Sequence, residues 1–495
     1  MSHAKSIMFL GTGSDVGKSI TATAFCRILH QRGIHVSPFK AQNMSNNSFV
    51  TLEGGEIGRA QAAQAEASGL IPSVHMNPIL LKPTGDMGSQ IVVHGKVFAN
   101  LSAKAYYNHK PMLIEKVMQS YEILSSTYDA IIMEGAGSCS EINLRSHDIV
   151  NFEIALKTNT PVILIADIDK GGVFAQIIGT FEVIDKNELD LVMGVIINKF
   201  RGDIDLFNDG IRYIEQRTGK PVLGIVPYDH HQMINTEDSM SLNSYMRKTA
   251  HRQDKINIAV LRLPHISNCT DIEPLTLESE VSINWVDSPN HLDDYDIIII
   301  PGSKNVIQDI SELIQKGWQQ ALHDYIQKTH GMLIGLCGGF QMLGQTIQDP
   351  YAIEGSIKKI KGFGFLACDT IIEQSKVVKC TDGQESLFQS YVRGYEIHMG
   401  KTTVAGNHFL LLDGHQEGAC SDNKRIIGTY LHGLFDSGIF RWHLIHHFAM
   451  QKQRQLKAPT NYLNYWDIKE NHYNHLADHF KRYTNAEKIV NTLIH

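Results

Sequence analysis

An apolar run, Ile7 to Leu10, passes without a break into GTGSDVGKS, Gly11 to Ser19, and then into Ile20–His30, whose spacing predicts a helix. A strand that ends in a glycine loop and continues as a helix is the first half of a βαβ unit. A chain that opens this way calls for a parallel sheet covered by helices. Further short apolar runs supply candidate strands at Val36–Phe39, Ala130–Met133, Pro161–Ala166 and Leu191–Ile197. Residues 68–95 are rich in proline and glycine and are expected to form loops and short strands over the sheet edge. A second series, Ile256–Leu261, Ile297–Ile300 and Gly331–Gly335, repeats the pattern, and Leu366–Ile372 and Thr402–Phe409 read as antiparallel additions. After His432 a helical segment runs toward Arg454, and the tail from Tyr462 carries Tyr473, Leu476 and Phe480 at helical spacing.

The expected fold class is α/β, with two domains that each hold a mostly parallel sheet flanked by helices. A chain of 495 residues exceeds what one core usually encloses. The polar transition between Pro227 and Asp254 puts the boundary there: a first domain at 1–240, a linker at 241–254, a second domain at 255–450, and a helical tail at 451–495. The formal net charge of −7 gives no nucleic-acid footprint. Seven cysteines without a CxxC pair suggest neither a disulfide framework nor a zinc site, and Asp229, His230 and His231 lack metal-motif spacing. No apolar stretch reaches the length of a membrane span, and no signal-like start is present, so a cytoplasmic protein is expected. Oligomeric state is left open.

In GTGSDVGKS, Gly11, Gly13 and Gly17 permit tight turns whose backbone N–H groups face a phosphate. Lys18 brings a charge to the terminal phosphates, and Ser19 can hold magnesium at the helix start. The strict GxxxxGK[ST] spacing is not met, because counting back from Gly17 puts Thr12 where the first glycine belongs. Glu134 closes the Ala130–Met133 run and puts a carboxylate at a strand end, suited to a magnesium ion. Lys40 closes another strand, within reach of a transferring phosphoryl group, and is followed by the polar run from Gln42 to Ser48, which suits substrate polar groups. Asn198 and Lys199 are weaker candidates for the nucleotide base.

The second constellation is GLCGGFQMLG. Gly335, Cys337 and Gly339 form GxCxG between a strand-like run and a helical Phe340–Leu343, the pattern of a nucleophile elbow with sulfur in place of oxygen. A helix start favours a thiolate and offers N–H groups to an oxyanion. A thiol nucleophile commonly uses an imidazole base. His432 is the first candidate and His398 the second, and the sequence alone shows neither touching Cys337. The turn Pro301, Gly302, Ser303 is a candidate oxyanion donor.

GLCGGFQMLG and YLHGLF resemble the glutamine-hydrolysing domain of class I glutamine amidotransferases. The resemblance implies Cys337 as nucleophile, His432 as its base, Gly302 and Gly338 as oxyanion contributors, and glutamine as substrate. The glutamate usual two residues after the histidine is here Leu434, as in the cobyrinic-acid type of the family, which implies a cysteine–histidine pair. GTGSDVGKS, SPFKAQN, MEGAGS and INKF resemble the dethiobiotin-synthetase-like ATP-binding domain, implying ATP and Mg2+ and activation of a carboxylate. AQNMSNNS, LLKPTGDMGSQIVVHGK and RGYEIHMG extend the resemblance to the corrinoid-amidating members. They imply a corrinoid substrate, adenosylcobyrinic acid a,c-diamide, whose b, d, e and g carboxylates become amides. The rivals are an a,c-diamide synthase, a nucleotide-switched scaffold, and a thiol hydrolase with a regulatory nucleotide domain.

Overall fold

The computed structural model describes residues 3–83, 88–229 and 254–494. They divide into two compact units, one formed by residues 3–45, 55–229 and 469–494, the other by residues 46–54 and 254–468. Most of the expected linker 241–254, and His230 and His231, lie outside the described residues. The division departs from chain order twice: residues 46–54 belong to the second unit, and the C-terminal helices from Lys469 onward belong to the first.

The first unit is built on six parallel strands, β1 (Lys5–Gly11), β2 (Val36–Phe39), β3 (Ala130–Glu134), β4 (Val162–Asp167), β5 (Val192–Phe200) and β6 (Val222–Pro227), in the order β6-β5-β4-β1-β3-β2. These runs are apolar at nearly every position because both sheet faces are covered. Met8 and Leu10 enter one core, while Ile7 and Phe9 enter the other. On the Phe9 side, Phe25 of helix Lys18–Gln31 meets Phe480 edge-on at 6.3 Å. Tyr473, Leu476, Ala477 and Phe480 form one apolar stripe of helix Tyr465–Tyr483, and Ile489 and Val490 of helix Ala486–Ile494 join them. The tail is thus part of the nucleotide-side core from Lys469 onward. Residues 79–102 form the antiparallel strands Ile79–Pro83, Gly88–Val93 and Lys96–Ser102, where loops and short strands are expected. They lead into a 25-residue helix, Ala103–Thr127, which the sequence reading did not identify.

The second unit repeats the plan with β7 (Ile256–Leu261), β8 (Val281–Val286), β9 (Ile297–Ile300), β10 (Met332–Leu336), β11 (Ala419–Cys420) and β12 (Ile426–Thr429), ordered β8-β7-β9-β10-β12-β11. All pairs are parallel except the short edge pair β11–β12. The expected antiparallel additions are the two arms of one long hairpin, Cys368–Glu385 with Tyr391–Val404. Residues 405–409, expected to continue the second arm, lie beyond it. Among the described residues no helix is long and apolar enough to cross a membrane.

Candidate active site

In open parallel sheets ligands bind beyond the carboxyl ends of the strands. In the first unit, β1 delivers the loop Thr12–Gly17, β3 delivers Glu134, and β2 is followed by Lys40. Gly17 has φ +101° and caps the helix that begins at Lys18. A Cβ on Gly17 would lie 2.0 Å from the Asn198 side-chain nitrogen, so only glycine fits there. That Asn198 nitrogen donates to the Val16 carbonyl at 2.9 Å. Asn198 thus braces the loop from β5. Lys199 is likewise turned to protein groups, the Asp167 carboxylate at 2.9 Å and the Asp15 carbonyl. The Lys18 ammonium donates to the carbonyls of Gly13 at 3.1 Å and Gly137 at 2.8 Å, and so lies across the loop mouth.

Glu134 is fully buried and accepts from several side chains. Ser19 Oγ donates to Oε1 at 2.6 Å, Lys40 Nζ to the same oxygen at 3.0 Å, and Gln64 Nε2 to Oε2 at 2.6 Å. Ser19 and Lys40, distant in sequence, thus converge on the Glu134 carboxylate. Gln64 was missed by the sequence reading, because a glutamine in the alanine-rich helix Arg59–Ala67 carries no motif. The Ser19 hydroxyl and Glu134 carboxylate are hard oxygen donors at a strand end, the donor set a magnesium ion takes. The residues present therefore fit that ion.

In the second unit, Cys337 sits between β10 and helix Gly338–Leu343 with φ +51° and ψ −105°, a conformation strained for any residue with a side chain. The glycines around it are there for space. A Cβ on Gly339 would stand 2.0 Å from the Ile300 carbonyl oxygen, one on Gly335 2.7 Å from the Gly339 backbone, and one on Gly338 2.7 Å from the Ser303 nitrogen. The last contact brings Gly338 and the Gly302–Ser303 strand together at the elbow. Gly302–Ser303 is itself held antiparallel to Ile266–Ser267. Ser303 Oγ donates to the buried Asp309 at 2.6 Å, and Asp309 also meets His265 Nδ1 at 2.7 Å.

His432 follows β12 and is buried. Its Nδ1 donates to Asp271 Oδ2 at 2.7 Å, and the Gly433 N–H donates to Asp271 Oδ1 at 3.2 Å. Burial works to lower the His432 pKa, but the Asp271 charge and hydrogen bond, with a further contribution from the adjacent Cys337 side chain, push it up to about 10. With Nδ1 committed to Asp271, Nε2 is the nitrogen left for proton exchange. The other histidine candidate is engaged by different groups. His398 pairs Nδ1 with the Gly400 carbonyl at 2.7 Å and Nε2 with Glu396 at 3.1 Å, and stacks on Tyr430 at 3.7 Å between ring centroids. The third group beside the cysteine–histidine pair, which the sequence left open, is an acid that holds the imidazole. It comes from the turn Cys269–Ile272, 161 residues earlier in the chain, so the absence of glutamate at Leu434 did not reveal it.

Residues 7–242 match the family described as the CobQ/CobB/MinD/ParA nucleotide binding domain, and residues 257–440 match the CobB/CobQ-like glutamine amidotransferase domain. Along its full length the chain is 42% identical to a cobyric acid synthase of Anoxybacillus flavithermus, covering 98% of that protein. It is also 42% identical to one of Syntrophobacter fumaroxidans, with 98% of each chain covered. The chain belongs to the cobyric acid synthase family. As a member of that family it is an enzyme, a glutamine-hydrolysing carbon–nitrogen ligase of cobalamin biosynthesis, whose reaction is the glutamine-dependent amidation of a corrinoid. A cobyric acid synthase of Chlorobium phaeobacteroides is 43% identical over 98% of both chains. The nucleotide-domain match covers the loop Gly11–Ser19, and the amidotransferase-domain match covers Cys337 and His432.

Proposed function

We propose that the chain amidates the b, d, e and g carboxylates of adenosylcobyrinic acid a,c-diamide, using ATP and glutamine, to give adenosylcobyric acid. The observation that carries this reading is the presence in one chain of a caged thiol with a histidine–aspartate pair and a phosphate loop facing a buried carboxylate.

Cys337 attacks the side-chain carboxamide carbon of glutamine. Its proton passes to Nε2 of His432, and backbone N–H groups about Gly302 and Gly338 stabilise the oxyanion. The imidazolium then returns a proton to the departing nitrogen, ammonia leaves, and water hydrolyses the thioester to glutamate. Asp271 keeps the imidazole in the required tautomer and supports its charge.

In the nucleotide-binding unit, a corrinoid carboxylate oxygen attacks the terminal phosphorus of ATP and ADP departs. The acyl phosphate formed has a leaving group that a carboxylate lacks. Ammonia adds to its carbon and phosphate leaves, giving the amide. Lys18 and Lys40 offset charge on the transferring phosphoryl group. Ser19 and Glu134 would hold a magnesium ion, which supplies charge neutralisation when bound. Ammonium has no lone pair, so ammonia must reach the acyl phosphate unprotonated, which favours a shielded route.

The acceptor assignment is tested by offering adenosylcobyrinic acid a,c-diamide and cobyrinic acid side by side with ATP, magnesium and glutamine. Amidation of the diamide in preference supports it. Preferential amidation of cobyrinic acid at its a and c positions would reassign the chain to the a,c-diamide reaction.

A further inference from the structure

Residues 46–54 interrupt the sequence of the first unit yet belong to the second. Within them the short strand Ser48–Val50 is buried, and Ser48 makes two backbone hydrogen bonds of interest. Its N–H donates to Asn268 Oδ1 at 3.2 Å, and its carbonyl accepts from the Tyr395 hydroxyl at 3.2 Å. Both side chains lie against His432. The Tyr395 ring stacks on the imidazole, with centroids 5.2 Å apart and planes 19° from parallel. Asn268 Nδ2 stands 3.4 Å from Nδ1 and 3.3 Å from Nε2. These two nitrogens flank a single ring carbon, so a point in the ring plane at those distances would collide with the ring. The amide therefore lies over its face. Phe49 packs on Tyr395 at 5.1 Å. Asn268 has left-handed backbone, φ +51° and ψ +43°, and its carbonyl accepts from the Asp271 N–H at 3.1 Å. Two of the side chains that lie against the imidazole, Asn268 and Tyr395, thus both bond to one residue, Ser48.

We propose that Ser48, through Asn268 and Tyr395, is a positioning residue for His432, so that the glutamine-hydrolysing centre is completed by a strand encoded within the nucleotide-binding half of the sequence. The inference rests on the assignment of Cys337 and His432 as the glutaminase pair. Its physical basis is that a proton-transfer base works only within a narrow range of orientation, and an angstrom of misplacement is enough to slow it severely. Asp271 fixes one atom of the ring, Nδ1. The ring plane stays free to swing about that bond unless its faces are held, and Tyr395 and Asn268 hold them.

The test measures glutamine hydrolysis by the full-length enzyme. Tyr395→Phe keeps the stacked ring and deletes the hydroxyl. Asn268→Gly keeps the left-handed backbone and deletes the amide. Ser48→Pro deletes the N–H donor. Each is expected to lower kcat by about tenfold or more with KM within about twofold. The Ser48→Pro/Asn268→Gly double variant should fall no further than Asn268→Gly alone, because both changes remove the same hydrogen bond. Circular dichroism checks the fold, and if Ser48→Pro does not fold, Tyr395→Phe and Asn268→Gly decide. Parental kcat in those two variants overturns the positioning role, as does a loss confined to KM. The failure of the underlying assignment looks different: Cys337→Ser would then retain hydrolysis, and the positioning role would fall with it.

Discussion

Asp271 and His432, 161 residues apart in the chain, share a hydrogen bond of 2.7 Å between Oδ2 and Nδ1, and the aspartate's other oxygen is bound by the Gly433 N–H. The acid is therefore fixed at both oxygens and the imidazole at one nitrogen.

This pair sets a pH dependence. The carboxylate stabilises the imidazolium, so replacing it with a neutral amide lowers the His432 pKa. In Asp271→Asn the limb of the glutaminase rate profile that reports His432 should move from the region of pH 10 down toward the ordinary histidine value of 6.5. Stability moves with it. A histidine whose folded pKa is raised contributes stability that is full below its unfolded pKa of 6.5 and is lost as pH climbs through about 10. Between these values the parent should lose more thermal stability than Asp271→Asn. Coincident profiles and parallel losses would dissociate Asp271 from the base.

Cys337→Ser should abolish glutamine-supported synthesis while leaving synthesis supported by added ammonia. Serine keeps the elbow geometry and lacks the sulfur nucleophile. Steady-state amide formation with each nitrogen source checks this, and equal loss of both in a folded protein would contradict the division of labour.

Lys18→Ala and Glu134→Gln should each reduce synthesis with either nitrogen source, by roughly a hundredfold or more, because Lys18 offsets charge on the transferring phosphate and Glu134 would hold the magnesium ion that does the same. Glu134→Gln also strips the buried Lys40 of its ion pair, which destabilises a buried charge. Its thermal midpoint should therefore drop as well. Normal synthesis at saturating ATP would reject the phosphate role.

Gly339→Ala should cost about 1–3 kcal/mol of stability, the usual range for overpacking, since its Cβ would meet the Ile300 carbonyl oxygen at 2.0 Å. Backbone must move at that point, and the elbow moves with it. Thermal unfolding together with alkylation of Cys337 by iodoacetamide reads both effects. An unchanged midpoint would mean that the strand–elbow contact is slack.

What the sequence revealed, and what it hid, follows from range. The central strands were legible because burial on both faces leaves all-apolar runs such as Ile297–Ile300. The elbow was legible because its glycines are needed at fixed local offsets from Cys337. Helix Ala103–Thr127 was harder to see because its apolar stripe is diluted by polar residues over a long span, with Pro111 inside it. Asp271 was hidden because an acid in a four-residue turn carries no periodic signal and meets its partner only through the fold. Leu434, occupying the position where the family usually has a glutamate, gave no sign of which residue supports His432. Gln64 and the membership of residues 46–54 in the second unit are likewise tertiary facts. The bond from Asn198 to the Val16 carbonyl is also a tertiary fact, because a polar residue at a strand end serves a ligand or a neighbouring loop with the same side chain.

The central claim is that one chain converts glutamine nitrogen into corrinoid amides at the expense of ATP. The most direct measurement is mass spectrometry of adenosylcobyrinic acid a,c-diamide incubated with the purified protein, ATP, magnesium and glutamine labelled with 15N in its side-chain amide. The account predicts four successive carboxyl-to-amide conversions, each carrying the label and each absent without ATP. A folded, glutaminase-competent protein that leaves this corrinoid unchanged would contradict it.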